Sequence, residues 1–151
     1  LASLIFLCYL AGTLSSKLTA NWTKRYPPIT GMVVGGVLSM AGMLIALVES
    51  IPFMMLGLML ISFGAFFTHT LAYAWVSQKA TEAKATATAL YLVHYYVGGS
   101  LGGFYLLYCW QHGGWHMVTA GGLVVYAVLF TLCWRLSLRH KSTAANSTTT
   151  V

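Results

Sequence analysis

Apolar residues along this chain come in long blocks, broken by short polar or charged connections. Five blocks stand out, at residues 1–16, 30–48, 53–77, 85–110 and 116–134. A bilayer crossing needs about 20 predominantly apolar residues. The blocks are too long for buried strands, and none alternates with the period of two expected of an outer-membrane barrel. A span in lipid must satisfy its own backbone hydrogen bonds, so the pattern predicts an all-α membrane protein with five transmembrane helices. The first block is short, starts already apolar and has no basic region before it, unlike a signal peptide. The expectation is a fragment whose chain begins within or just before its first helix.

The charged positions orient the blocks. Lys17, Lys24 and Arg25 follow the first block, Lys79 and Lys84 the third, and Arg135, Arg139 and Lys141 the fifth. These are all eight Lys and Arg of the chain. The alternate connections, 49–52 and 111–115, hold none. A basic residue at mid-bilayer costs roughly 2.5–3.5 kcal/mol on insertion scales, and cytoplasmic loops collect such residues. The three basic segments are therefore expected on the cytoplasmic side of the membrane. Pro27-Pro28 suits the entry to the second span, and Ile51-Pro52 the turn into the third. All five tryptophans, Trp22, Trp75, Trp110, Trp115 and Trp134, lie near predicted boundaries, as interfacial anchors should. Residues 1–141 form one predicted bundle. The Ser/Thr-rich tail, 142–151, has nothing to bury and is expected to be a disordered cytoplasmic segment.

Composition sharpens the class. The chain of 151 residues is 58% hydrophobic and 7% charged, with mean hydropathy +0.76. A soluble domain carries about 25% charged residues, so a water-facing surface is excluded. The net charge of +6 does not indicate nucleic acid, because the basic residues sit between apolar blocks and form no patch with interleaved aromatics. Cys8, Cys109 and Cys133 lie singly in apolar surroundings, without disulfide or zinc spacing. No catalytic constellation is present, no cofactor or metal is expected, and the chain reads as a non-enzyme.

Chemistry concentrates in the hairpin of the third and fourth spans. His69 lies about 6 Å to the cytoplasmic side of one midpoint and His94 about 4.5 Å to the same side of the other, at 1.5 Å per residue. Ser62, Phe66, His69 and Tyr73 follow one helix face. Tyr91, Tyr95 and Gly98 flank the stripe that carries His94. Polar and aromatic groups at such depth point to a solute path, with Phe66, His69, Thr70, Tyr73, Tyr91, His94 and Tyr95 as candidate contacts and a histidine able to titrate near neutral pH. The bland alternative is that each histidine bonds a neighbouring helix and only helps packing. Gly98, Gly99, Gly102 and Gly103 favour close helix packing, or else bending during gating. Gly35, Gly36, Ser39 and Gly42 read as packing positions. His112 and His116 could share a metal only on a helix that Gly113-Gly114 disfavours, with no third ligand near. No acidic residue lies inside any span, so proton coupling would need either a histidine or a residue in a part of the protein outside this chain. Two rivals remain: a haem protein with His69 and His94 as axial ligands, and a helical subunit that only scaffolds a partner.

Several short patterns, in order, resemble the C-terminal half of a major facilitator superfamily permease, in particular its efflux-type, YnfM-like branch of bacterial inner-membrane transport proteins. They are His69-Thr70-Leu71-Ala72 with Trp75, Lys84-Ala85, Leu90-Tyr91-Leu92 with Tyr95-Tyr96-Val97-Gly98, and Gly113 with Trp115. The loop motif Gly12 to Lys17, continuing to Lys24 and Arg25, resembles that superfamily's G-x-L-(A/S)-D-(R/K) signature, with Ser16 where an acidic residue is usual. The resemblance implies helices eight to twelve of a twelve-helix transporter, the first, third and fourth spans lining the central cavity. It also implies a secondary transporter exporting small organic solutes or drugs by proton antiport, with the missing N-terminal half of the same protein as its partner.

Overall fold

The computed structural model describes residues 10, 14, 15, 17–48 and 50–148, with side chains up to residue 138. Regular structure among these residues is entirely helical. Helix α1 runs Pro28–Ile45, α2 Ile51–Lys79 and α3 Lys84–Thr148, preceded by helical residues 17–22. Pro28–Ile45, Ile51–Lys79 and Lys84–Leu138 are long and apolar enough to cross a membrane. Expected spans 30–48 and 53–77 fall on α1 and α2, and the next two fall on α3. Most of the expected first span, with Gly12 and Ser16 of the loop motif, lies outside the described residues, as does Glu49. Helix α3 runs on to Thr148, into the polar tail that was expected to lack structure.

Local chemistry explains the helix ends. Pro28 opens α1, where a missing N–H costs nothing, and Pro27 is extended at φ −59°, ψ 140°. Pro52 occupies the first turn of α2 behind an extended Ser50. Between α2 and α3, Ala83 takes φ 50°, a left-handed conformation that helps the chain reverse within a short connection.

Lys84–Leu138 contains 55 residues, which as a straight helix would measure about 80 Å, far beyond a hydrocarbon core of about 30 Å. The helix breaks at Gly113 and Gly114, the latter at φ 59°, ψ −147°, a region essentially restricted to glycine. Two arms result, 84–112 and 115–148, and they fold back on one another. A Cβ on Gly121 would lie 2.9 Å from Cys109 Sγ, although twelve residues along a straight helix would separate the two by about 18 Å.

Helices α1 and α2 form the closest pair. A Cβ on Gly35 would strike Thr68 and the Gly64 carbonyl, and one on Gly42 would meet the Gly57 carbonyl. Lipid is as apolar as leucine, so association in a membrane depends on such close backbone approach and on polar contacts across it. Ser39 Oγ donates to the Ile61 carbonyl at 3.2 Å, and Thr68 Oγ1 to the Met32 carbonyl at 3.3 Å. Other threonines donate to their own helices, Thr119 to Trp115 and Thr131 to Ala127.

Met32, Phe67, Leu71 and Cys133 form a buried cluster with Trp22, Ile29, Trp75 and Leu129 packed around it. The cluster ties the start of α1, the end of α2 and the second arm of α3 together. Lys24 and Arg25, the Lys79–Lys84 turn and Arg135 therefore share one end of the bundle. At the other end Trp115 Nε1 donates to the Ala46 carbonyl at 2.8 Å, joining the glycine break to the end of α1.

Candidate functional site

Helix α2 has two opposed faces. Gly57, Gly64 and Leu71 recur every seven residues toward α1, whereas His69 lies 200° from Leu71 at about 100° per residue and looks toward the first arm of α3. Tyr91 and Tyr95, one turn apart, meet it there. His69 Nδ1 lies 3.0 Å from the Tyr91 hydroxyl, and that hydroxyl donates to the His69 carbonyl at 3.3 Å. A phenol has one proton to give. If it goes to the carbonyl, the histidine must carry its own proton on Nδ1 and donate it to the Tyr91 oxygen. One tyrosine thereby selects a tautomer and holds the ring.

Stacking completes the cluster. The His69 and Tyr95 ring centroids lie 3.9 Å apart at 32°, and His69 and Tyr91 are 5.6 Å apart at 21°. Tyr73 meets Tyr91 edge-on at 6.1 Å. Both Tyr73 and Tyr95 remain exposed, at 39% and 44%, so the cluster presents π faces to open space while His69 and Tyr91 are half-buried behind them. Such a surface suits a planar or amphipathic molecule.

Of the seven sequence candidates, His69, Tyr73, Tyr91 and Tyr95 come together. Thr70 turns its hydroxyl to the Phe66 carbonyl at 2.7 Å, which satisfies it within α2. Phe66 is half-buried. His94 is exposed and bonds the Leu90 carbonyl of its own helix at 2.8 Å. Tyrosines, not His94, meet the His69 ring, so the pair a bis-histidine haem would need is not assembled. His112 likewise bonds its own helix at Tyr108, and the break after it removes the shared helical face on which His112 and His116 could have held a metal.

The face bearing Tyr91 and Tyr95 continues into Gly98 and Gly102. A Cβ added at Gly98, Gly99, Gly102 or Gly103 would meet nothing within 4 Å. The packing expected of these glycines is thus not made among the described residues. It is made instead by Gly35 and Gly42 against Gly57 and Gly64, of which the latter two were missed. Their seven-residue separation, the same as that of Gly35 and Gly42, was the available signal. In the loop motif, Lys17, Lys24 and Arg25 are all exposed.

Long apolar helices folded back on one another around a polar aromatic cluster define a multi-pass integral membrane protein. The chain belongs to the Major Facilitator Superfamily, whose family profile it matches over residues 1–150. It is similar to an uncharacterized MFS-type transporter, YybF, of Bacillus subtilis, with 30% identity over 135 residues, 87% of this chain and 32% of that protein. An uncharacterized transporter of Buchnera aphidicola from Schizaphis graminum is 28% identical over 131 residues, 87% of this chain and 31% of that protein. The inner membrane transport protein YnfM of Escherichia coli is 33% identical over 76 residues, 50% of this chain and 18% of that protein. The chain thus spans about a third of the length of the first two relatives. No solved structure matches it.

Proposed function

We propose that this chain is the C-terminal part of a secondary active transporter of the bacterial inner membrane that exports small organic solutes by alternating access, with its tail in the cytoplasm. The observation that carries the reading is the half-buried His69–Tyr91 pair with exposed Tyr95 stacked on it, set between two apolar helices and continuous with the glycine face of α3. A purely structural histidine would be enclosed by its partners. This one is half-buried and stacks on Tyr95, which is itself 44% exposed. Phe66, Thr70 and His94 complete the proposed wall, at its margins.

Alternating access rocks two halves around a site near the midplane. On that scheme the glycine face meets the other half of the transporter, and the solute sits between that half and the aromatic cluster. Proton antiport is the proposed coupling, with His69 exchanging the proton, since histidine titrates near neutral pH and no carboxylate lies within the predicted spans.

The test is His69→Ala in the full-length protein, read as export from loaded cells alongside membrane abundance. Reduced export at unchanged abundance is expected. Unchanged export would return His69 to a packing role.

A further inference from the structure

A second cavity lies on the far side of α2 from His69. It has a volume of about 700 Å³ and is framed by the 17–26 segment, α1 and α2, within the range of about 300–1,000 Å³ usual for small-molecule sites. Phe63 and Phe67, one turn apart on α2, form its floor and stack at 6.2 Å. Val34 and Leu38, one turn apart on α1, form a wall. Lys24 and Arg25 stand at the rim, both exposed. Trp22 and Tyr26 close one side, their rings 4.9 Å apart.

Two chemistries are thereby separated within one hollow. An apolar, largely aromatic interior opens beside two cations, and no acidic residue is among those lining it. The whole chain has only two acidic residues, Glu49 and Glu82, so these cations have little internal charge to meet. Amphipathic aromatics such as Trp22 and Tyr26 mark the level of lipid headgroups. A free phosphate would use the cations and leave the apolar interior empty. A neutral amphiphile would use the interior and leave the cations unanswered.

We propose that this cavity binds an anionic phospholipid, Lys24 and Arg25 holding the phosphate while Val34, Leu38, Phe63 and Phe67 receive an acyl chain. The lipid belongs to the leaflet at the basic end of the bundle. It fills the hollow between α1, α2 and the 17–26 segment, and so braces the glycine-packed pair from the side opposite the aromatic cluster.

The intact transporter, stripped of lipid in detergent, is incubated with phosphatidylglycerol, with phosphatidylethanolamine of the same acyl chains, or with inorganic phosphate. Bound lipid is then counted by native mass spectrometry. Phosphatidylglycerol is expected to be retained over phosphatidylethanolamine. Lys24→Gln and Arg25→Gln should each weaken retention about fivefold, the usual worth of one basic residue facing an anionic headgroup. Leu38→Trp, which fills the interior, should reduce retention with both charges present, and a thermal melt of each variant checks that the fold persists. Equal retention of the two lipids would overturn the proposal, as would full retention by the Lys24→Gln/Arg25→Gln double variant. Full retention by Leu38→Trp would place the lipid elsewhere. Inorganic phosphate displacing phosphatidylglycerol completely would show an anion site without a lipid site.

Discussion

Gly42 and Gly57 meet backbone to backbone: a Cβ on Gly42 would stand 2.6 Å from the Gly57 carbonyl oxygen. Gly35 and Gly64 meet in the same way one heptad along, so the α1–α2 seam is set by two glycine pairs in antiparallel register. Any larger side chain must push the helices apart. Gly42→Leu should destabilise the protein by at least about 1–3 kcal/mol, the usual cost of overpacking a tight interface, read as a lower thermal midpoint in detergent. Gly99→Ala, placed where nothing in this chain lies within 4 Å, should lower that midpoint much less. Equal midpoints for the two variants would mean that the seam does not hold the bundle.

At the end of the bundle away from the lysines, Ala46 is 1% exposed and follows the last turn of α1, so its carbonyl has no intrahelical partner. The Trp115 indole supplies one from just beyond the glycine break. Trp115→Phe keeps the ring and removes only the N–H. It should cost about 1–3 kcal/mol, the penalty of a buried acceptor left unsatisfied, again as a fall in thermal midpoint. A variant as stable as the parent would show that water or lipid headgroups reach the Ala46 carbonyl.

Axial position was legible in the sequence, and azimuth was not. Block lengths, charge clusters and prolines set where α1 and α2 begin and end and where α3 begins, to within a few residues, because hydrophobic thickness acts along the chain; the end of α3 at Thr148 was not marked by them. His69 does meet the stretch of α3 that carries His94, through Tyr91 and Tyr95. Which neighbour each one faces depends on rotamers and helix rotation. Tyr91 and Tyr95 take the face toward His69, while His94 folds back to Leu90. The glycines show the same limit. The dense run at 98–103 drew attention yet stands open, while the isolated Gly57 and Gly64 do the packing. Their role depends on register with another helix, which a scan of one helix does not reveal.

The proposed sidedness rests on the shared position of the basic turns. Lys79→Cys and Ser50→Cys, each made in a cysteine-free background of the full-length protein, should react from opposite sides of the membrane with an impermeant maleimide. Lys79→Cys should be protected in intact cells and labelled in inverted vesicles, with the reverse for Ser50→Cys. Labelling of both from one side would break the proposed topology, and with it the placement of the solute path.

The sharpest test of the aromatic cluster separates a hydrogen bond from a stacked ring. Tyr91 holds His69 through its hydroxyl, at 3.0 Å from Nδ1, whereas Tyr95 meets the imidazole through its ring face at 3.9 Å between centroids. Tyr91→Phe should therefore loosen the tautomer and orientation of His69 and reduce export roughly two- to tenfold, the equivalent of one net hydrogen bond. Tyr95→Phe keeps the stacked ring and should export like the parent, while Tyr95→Ala should not. Membrane abundance measured in parallel keeps a folding defect distinguishable from a transport defect. If Tyr91→Phe and Tyr95→Phe behaved alike at equal abundance, the Tyr91 hydroxyl would have no special hold on His69, and the cluster would act on a solute through its ring faces alone.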